Sequence, residues 1–215
     1  MGRVLLIRHG ESVANAQRIW QGHADFELSE RGLQEARAVA GALCSASAGH
    51  LWSSPLKRAA GTADSIAAAV GIQVLHDERW MESDVGEASG LTNDEVLERF
   101  PERALAMAEG RRFTFPGQED PVAFRTRIHG ALQAMLALDA TVIAVTHGGV
   151  IGSIAAEVLG IAPERAWPFS IQNCSITEVV SDERGRLALR RLNDTCHLDG
   201  IDRREQSQLP GSRFV

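Results

Sequence analysis

The segment TVIAVT at positions 141–146 constrains the fold more than any other stretch of the chain. It is apolar without alternation, and a strand of this kind has to be covered on both faces, as in a parallel sheet flanked by helices. The uncharged stretch runs on to Ala156, but it is shorter than the ~20 apolar residues of a membrane helix. The polar turn Thr146-His147-Gly148-Gly149 also interrupts it. We therefore expect a buried strand, a turn and a helix, with no membrane association.

Strand-like and helix-like segments alternate along the rest of the chain. Cap residues followed by proline, as at Ser54-Pro55 and Asp120-Pro121, are helix start signals, and Ser29 can cap another helix. Residues 80–118 read as irregular, with one helix at 92–100 ended by Pro101. This order predicts one α/β domain, residues 1–215, with a mostly parallel sheet. The remaining strands are expected at 3–7, 49–54, 72–75, 176–180 and 187–192, and a last helix at about 150–159.

Composition excludes several classes of protein. The net charge is −6, from 22 basic and 28 acidic side chains, with no long basic run, so nucleic-acid binding has little support. The three cysteines are odd in number and widely spaced, which favours reduced thiols in a cytoplasmic protein. We expect Cys44, which continues an apolar helix stripe, to be packed in the core. The short apolar run at 4–7 is no signal-peptide core, because Arg8 ends it.

Three strand ends carry an unusual set of side chains. The first strand leads into Arg8-His9-Gly10, and the strand at 141–146 leads into His147, Gly148 and Gly149 just before a helix. The strand at 49–54 leads to Lys57 and Arg58 in a first helical turn, where the helix dipole disfavours cations. Ligands of such sheets bind beyond the carboxyl ends of the strands, and free amides at a helix start bind phosphate. These ends therefore predict an anion pocket.

The sequence resembles the histidine phosphatase superfamily, also called phosphoglycerate-mutase-like. The motifs that carry the resemblance occur in the order LIRHGES with Asn15, QGHADFELSERG at 21–32, SSPLKRAAGTA at 53–63, Glu82, VTHGGV at 145–150, QNCSIT at 172–177 and LNDTCHL at 192–198. They extend over nearly the whole chain. The resemblance implies a three-layer α/β/α fold and a phosphohistidine intermediate.

The resemblance also implies roles for individual residues. His9 would be the nucleophile, and Glu82 the proton donor. By their positions in the motifs, Arg8, Arg58 and His147 would bind the phosphoryl oxygens, with Asn15 as a further donor.

The residue types suit this chemistry. Arginine presents a planar, charged fork to phosphate oxygens. A neutral imidazole is a good nucleophile when its other nitrogen donates to a fixed acceptor, which we expect to be a backbone carbonyl near Gly10. A carboxyl group can protonate the leaving oxygen and then deprotonate the attacking water. Two arginines and a second histidine would take the place of a metal, so we expect neither metal nor other cofactor.

Several assignments have competitors at the sequence level. Glu87 is the alternative to Glu82, because the stretch MESDVGEASG departs from the aromatic-containing version common in the family. Gln21 and Gly22 are candidate substrate contacts, with an ordinary polar loop as the equal alternative. Arg111 and Arg112 are expected to be a solvated pair, although they could bind a second acidic group. Aromatic and apolar side chains are expected near the mouth and suggest an uncharged or apolar leaving group: Trp20, Phe26, Met81, Phe113 and Phe115.

The expected activity is hydrolysis of a small-molecule phosphomonoester by a monomer or homodimer. A phosphoglycerate mutase is the first alternative, but mutases of the family carry a longer insertion after the acid and tend to have a tyrosine there. This chain is compact between Glu82 and His147 and contains no tyrosine. A non-catalytic module that binds a phosphorylated ligand is the second alternative. Such a module should have lost a reactive residue, and this sequence retains the full set.

Overall fold

The structure, a computed structural model, describes residues 2–201 of the chain. The described residues form six strands and seven α-helices, with short 3₁₀ turns at Glu78–Trp80, Gly86–Ala88 and Cys196–Leu198. The strands are β1 (Arg3–Arg8), β2 (Ala48–Ser53), β3 (Val74–His76), β4 (Thr141–Thr146), β5 (Ile176–Ser181) and β6 (Leu187–Asp194). The helices are α1 (Val13–Ala16), α2 (Glu30–Leu43), α3 (Lys57–Val70), α4 (Asn93–Arg99), α5 (Glu102–Ala108), α6 (Pro121–Leu136) and α7 (Gly148–Val158).

The strands form one sheet in the order β3-β2-β4-β1-β5-β6. Strands β3, β2, β4 and β1 pair in parallel, and β5 runs antiparallel to both of its neighbours. The sheet is therefore mostly parallel, as the apolar segment at 141–146 predicted. All the parallel strands end at one edge, which is where ligands bind in open α/β sheets.

Helices cover both faces of this sheet and make three layers. On one face, α6 and α7 pack through Phe124, Ile128, Leu132 and Ile151 against β1 and β4. On the other face, α2 and α3 bury Val39, Leu43, Ala63 and Ile66 against the same strands. The three-layer α/β/α prediction is confirmed. That residues 1–215 form a single domain remains a prediction.

A third apolar cluster lies in the segment 80–118, which forms a cap beside the carboxyl edge of the sheet. Val96, Phe100 and Phe115 are buried in this cluster, and Trp20 packs on it from the loop after α1. Helix α4 confirms the helix expected at 92–100, and Thr92 caps it through a capping box with Glu95. The cap is more regular than the sequence suggested, because α5 follows directly after Pro101.

Two local expectations were wrong. Cys44 is exposed and occupies the C-cap position, one residue after α2 ends at Leu43. The helix expected to start at Pro55 begins instead at Lys57, with Leu56 at the N-cap position. The Ser54 hydroxyl accepts the Leu56 amide at 3.3 Å. Within residues 2–201, no helix has both the length and the apolar character that crossing a membrane requires.

Candidate active site

The central feature of the site is the pair of histidines that follow β1 and β4. These strands are neighbours, and their register places Arg8 opposite Thr146. The His9 amide continues the ladder by donating to the Thr146 carbonyl at 2.9 Å. The two imidazole rings consequently lie 5.0 Å apart between centroids, tilted by 60°. Sheet topology thus unites two motifs that are far apart in the sequence.

His9 is buried and held in a defined orientation. Its Nδ1 lies 2.7 Å from the Gly10 carbonyl oxygen. Since a carbonyl can only accept, Nδ1 carries the ring proton and Nε2 keeps its lone pair. Burial, followed by the positive charges of Arg58 and Arg8, lowers the pKa of His9 well below its ordinary value of 6.5. The expected backbone acceptor is confirmed, and the imidazole is neutral at physiological pH.

His147 is also buried and neutral, but its contacts differ. Its Nε2 lies 2.8 Å from the Ser54 hydroxyl, and within residues 2–201 its Nδ1 has no hydrogen-bond partner. Burial lowers the pKa of His147 well below 6.5, with smaller contributions from the charge of Arg58 and from His9. Ser54 already accepts the Leu56 amide and can donate its own proton to Nε2. This arrangement favours a proton on Nδ1, which makes His147 a neutral donor.

Arg8 and Arg58 both line a cavity at this edge of the sheet. Arg8 donates through Nη1 to the Ile171 carbonyl, and its guanidinium lies against the backbone of Gly148. Arg58 is 1% exposed and donates to the carbonyls of Gly22 and Ala24 at 2.8 and 2.9 Å. Burial lowers the pKa of Arg58 to about 10, so the group stays charged. Besides its predicted role in binding phosphate, Arg58 therefore stabilises the 21–25 loop through these hydrogen bonds.

Glu82 lines the cavity beside the start of α7. Its carboxylate accepts the Gly149 amide at 2.9 Å and the Ser83 amide at 2.9 Å. Its sequence competitor, Glu87, has a side chain that is 50% exposed, forms an ion pair with Arg99, and is not among the cavity-lining residues. The geometry favours Glu82 over Glu87.

The remaining predicted contacts also line the cavity, namely Asn15, Gln21, Gly22 and Gly148. The Asn15 side-chain oxygen accepts the Ser12 amide at 3.2 Å in a capping box, so its amide nitrogen is the group available to a ligand. Gln21 is buried, and its Oε1 lies 2.9 Å from the Ser12 hydroxyl. Gly22 has φ +51°, in the left-handed region that favours glycine, and a Cβ there would approach the Val85 amide to 2.8 Å.

The sequence did not single out three residues that organise this site. Ser54 contacts His147, as described above. Asn173, which lines the cavity, donates from Nδ2 to the His9 carbonyl at 2.8 Å. Arg127 donates to the carbonyls of Met81 and Glu82 at 2.7 and 2.9 Å, beside its ion pair with Glu119. Ser54 and Asn173 carried some signal, since they belong to the motifs SSPLKRAAGTA and QNCSIT, whereas Arg127 belongs to none of the motifs.

The cavity has a volume of about 490 Å³ and extends from His9 to the cap, whereas His147 is fully buried behind His9 and is not among the lining residues. Trp20, Phe113 and Phe115 line it as expected, whereas Phe26, Met81 and Lys57 do not. Arg111 is exposed and ion-paired with Glu109, which agrees with a solvated role. Arg112 instead turns into the cavity wall, half-buried against Trp167. The cap wall is thus both aromatic and cationic.

Outside the pair His9 and His147, the histidines do not line the cavity. His23 and His76 are exposed, and His129 is half-exposed and lies 2.9 Å from a Glu157 carboxylate oxygen. His23 touches the site indirectly, because its Nε2 lies 2.8 Å from the Glu82 carbonyl. Across residues 2–201, His, Cys, Asp and Glu side chains form no group of three suited to a metal ion.

The fold and this cleft define an α/β protein with a neutral histidine pair, two buried arginines and one carboxylate at the carboxyl edge of its sheet. The chain belongs to the histidine phosphatase superfamily, branch 1, because the sequence model of that family matches residues 4–195. The family resemblance is confirmed.

Named relatives fall into two groups. Phosphoserine phosphatase 1 from Hydrogenobacter thermophilus is 33% identical over 201 residues, which covers 92% of this chain and 95% of that protein. A probable phosphoglycerate mutase, GpmB, from Yersinia pestis is 32% identical over 208 residues, with 93% and 96% covered.

Solved structures of proteins named as phosphatases also resemble this chain. A mycobacterial glucosyl-3-phosphoglycerate phosphatase superposes with a TM-score of 0.81 at 28% identity, covering 91% of this chain and all of the other. A phosphoserine phosphatase mutant from Entamoeba histolytica, in complex with phosphoserine, superposes with a TM-score of 0.79 at 28% identity, with 92% and 100% covered.

Proposed function

We propose that this protein is a metal-independent phosphatase that hydrolyses a small-molecule phosphomonoester through a phosphohistidine at His9. The observation that carries the proposal is the state of the His9 ring: buried, neutral, tied at Nδ1 to the Gly10 carbonyl, and beside two guanidinium groups. Relatives named as phosphatases support phosphoric monoester hydrolysis as the reaction class. The cytoplasmic location remains a prediction from cysteine usage.

The first step is attack of His9 Nε2 on phosphorus. The P–O bond to the leaving group breaks as the N–P bond forms, and the leaving oxygen takes a proton from Glu82. Arg8 and Arg58 bind non-bridging oxygens and offset the charge that would otherwise repel the nucleophile. Hydrolysis of phosphate monoesters is among the slowest uncatalysed reactions. Charge stabilisation by the two arginines should therefore make the largest contribution to the rate acceleration.

The second step reverses the roles. Water attacks the phosphohistidine, Glu82 accepts the proton from that water, and the N–P bond breaks to release phosphate and neutral His9. His147, as a neutral donor, stabilises the phosphoryl group in both steps without adding a second positive charge near His9. Gly148 opens α7 and leaves room for the Arg8 side chain beside it, whereas the Gly149 amide donates to Glu82 and is not free for the phosphoryl group.

The test is phosphate release from a panel of phosphomonoesters by the full chain, with and without excess EDTA. We expect turnover that survives the chelator. His9→Ala should abolish turnover and the acid-labile, base-stable phosphoenzyme, whereas His76→Ala, an exposed histidine on β3, should behave as wild type. Activity lost with EDTA and restored by a divalent ion would contradict metal independence, and more than a few per cent of residual rate in His9→Ala would reject the nucleophile.

Two alternatives give different results in the same assay. The relatives named as probable phosphoglycerate mutases favour phosphoryl transfer as the second candidate. A mutase would move phosphate between substrate molecules with little net release. A binding module would take up phosphorylated ligands and form no phosphoenzyme.

A further inference from the structure

Arg103, the second residue of α5, is a buried cation that has no counter-ion among residues 2–201. Its side chain lines the cavity and is 6% exposed. Within residues 2–201, its guanidinium forms no hydrogen bond or ion pair, and burial lowers its pKa from 12.5. A buried charge that lacks a partner is costly to the folded state. The arginine therefore faces a place where an anion from outside the chain would be stabilised.

Aromatic stacking holds Arg103 ready for such an anion. Its guanidinium carbon lies 5.0 Å from the centroid of the Trp20 ring. The indole is itself fixed, because its Nε1 donates to the Asn93 side-chain oxygen at 2.8 Å. A guanidinium stacked by its face keeps its edge N–H groups free for the bidentate hydrogen bonds that carboxylates and phosphates accept.

Arg112 repeats this arrangement at another place on the cavity wall. It lies 4.6 Å over the Trp167 ring. Burial and the nearby charge of Arg125 lower its pKa. Trp167 packs tightly on α7, since a Cβ at Gly152 would come within 2.4 Å of its ring. Both cap arginines are thus pre-oriented on rigid indoles, which reduces the entropy lost on binding.

The charge balance of the cavity points the same way. Although the whole chain is acidic, six arginines and two glutamates line the cavity. Arg8 and Arg58 suffice for a phosphate dianion, and Arg111 has Glu109 as its partner. Of the other three arginines, Arg18 is exposed, so Arg103 and Arg112 are the two positive charges that remain within the cavity wall.

We propose that Arg103, assisted by Arg112, binds a second anionic group on the leaving-group side of the substrate. This inference rests on the proposed phosphatase function and narrows its substrates to phosphomonoesters that also carry a carboxylate or a further phosphate. The aromatic cap wall then serves as a platform for the arginines. The expectation of an uncharged leaving group, drawn from the aromatic residues alone, is replaced by an acidic one.

Matched substrate pairs test the proposal in the wild-type protein. Phosphoserine and phosphoethanolamine differ by one carboxylate, as do 3-phosphoglycerate and glycerol 3-phosphate apart from a hydroxyl. Charge-assisted hydrogen bonds of this kind correspond to about a 10–100-fold preference in kcat/KM for the acidic member. The bisphosphate of 1,3-propanediol against its monophosphate forms a second arm, which identifies whether carboxylate or phosphate is the preferred anion.

Variants assign the preference to Arg103. Arg103→Met should remove most of the preference for the acidic member, because kcat/KM should fall much more for acidic substrates than for p-nitrophenyl phosphate, which carries no second anionic group. Arg103→Lys should retain part of it, because it keeps the charge but loses the fork. The matched control is Arg99→Met on the neighbouring α4, where the arginine is half-exposed and paired with Glu87.

Each result decides the proposal. A wild-type protein that hydrolyses p-nitrophenyl phosphate but shows no preference within any pair overturns the subsite and leaves the phosphatase function intact. An equal loss by Arg103→Met on acidic and neutral substrates also overturns it, since that pattern is structural damage. If Arg103→Met does not fold, the wild-type pairs and Arg112→Gln carry the decision. Failure to release phosphate from any substrate rejects the proposed function itself.

Discussion

The Glu82 carboxylate accepts the backbone amide of Gly149 at 2.9 Å. This bond joins the cap segment to the first turn of α7, two residues after His147. It fixes the candidate proton donor relative to the sheet edge that carries the candidate nucleophile. The position of one carboxylate thus depends on close backbone approach at a glycine.

Gly149→Ala should move this carboxylate. A Cβ at position 149 would lie 2.3 Å from Glu82 Oε1, and the flexible end of Glu82 must shift to avoid it. Because misplacement of a catalytic group by about 1 Å can cost ~10²-fold in rate, we expect kcat to fall by that order with little change in thermal stability.

The control is Gly130→Ala in α6, where the added methyl meets nothing within 4 Å. It should leave activity unchanged and stabilise the protein by about 0.5–1 kcal/mol. Steady-state kinetics and thermal unfolding measure both effects. An active Gly149→Ala protein would mean that the Glu82 position is not critical.

Glu82→Gln should separate the two chemical steps. The p-nitrophenolate group needs little protonation, so a rapid burst of nitrophenolate should persist. Water activation needs the carboxylate, so turnover should stall with phosphohistidine accumulated. For an alkyl phosphate, whose alkoxide is strongly basic, the first step should slow by ~10²–10⁴-fold.

Glu87→Gln is the matched carboxylate control and should resemble wild type with both substrates. Stopped-flow burst kinetics and acid–base lability of the trapped phosphoenzyme provide the readout. An exchange of behaviours between the two variants would reassign the proton donor to Glu87.

Stability should depend on pH through the buried histidines. Because the folded pKa of His147 lies well below 6.5, the unfolded chain binds more protons as the pH falls below about 6.5. The free energy of unfolding then decreases by up to about 1.4 kcal/mol per pH unit for each such histidine, and no such loss occurs above that pH. His147→Gln should flatten this dependence between pH 6.5 and 5.

Denaturant unfolding at several pH values measures the slope. His76→Gln, which changes an exposed histidine, is the control and should keep the wild-type slope. Parallel slopes for all three proteins would show that His147 takes up its proton equally in the folded and unfolded states.

Arg127 should act as a positioning residue for Glu82. Its guanidinium binds the carbonyls of Met81 and Glu82 and forms a pair with Glu119 at 2.7 Å. Arg127→Met should lower kcat by at least ~10-fold, with a smaller effect on KM, because the acid loop loses its support. Arg127→Lys should restore part of kcat.

The control for Arg127 is Arg186→Met on the distant β5–β6 turn, an exposed arginine paired with Asp182 at 2.7 Å. It should be neutral. Steady-state kinetics and the nitrophenolate burst distinguish positioning from unfolding, since a loss in stability alone would lower the amplitude of the burst and not its rate.

Local sequence patterns predicted which side chains meet at the ends of the parallel strands. Arg8, His9 and His147 follow from rules on parallel sheets, because carboxyl ends of parallel strands share an edge wherever the strands lie. The Gly10 acceptor of His9 could be predicted because it is one residue away.

Contacts between segments that are distant in the sequence could not be predicted from it. Ser54 and His147 meet across β2 and β4, and Asn173 reaches the His9 carbonyl from the loop before β5. Both contacts depend on strand order, which local periodicity does not specify. Arg103 lies on a short helix, α5, with no clear start signal beyond Pro101. That Arg103 has no counter-ion among residues 2–201 is evident only from the folded structure, because it depends on which side chains surround the cavity.

The strand order also dictates when the site can exist during synthesis. Strand β4 lies between β2 and β1, so β1 and β2 leave the ribosome without the strand that separates and pairs with both. Until residues 141–146 arrive, each presents an open edge prone to wrong pairing. His9 acquires its partner His147 only when that insertion is complete. The candidate site therefore forms late in the synthesis of each chain. Turnover by a newly made chain would indicate that β4 has inserted between β2 and β1.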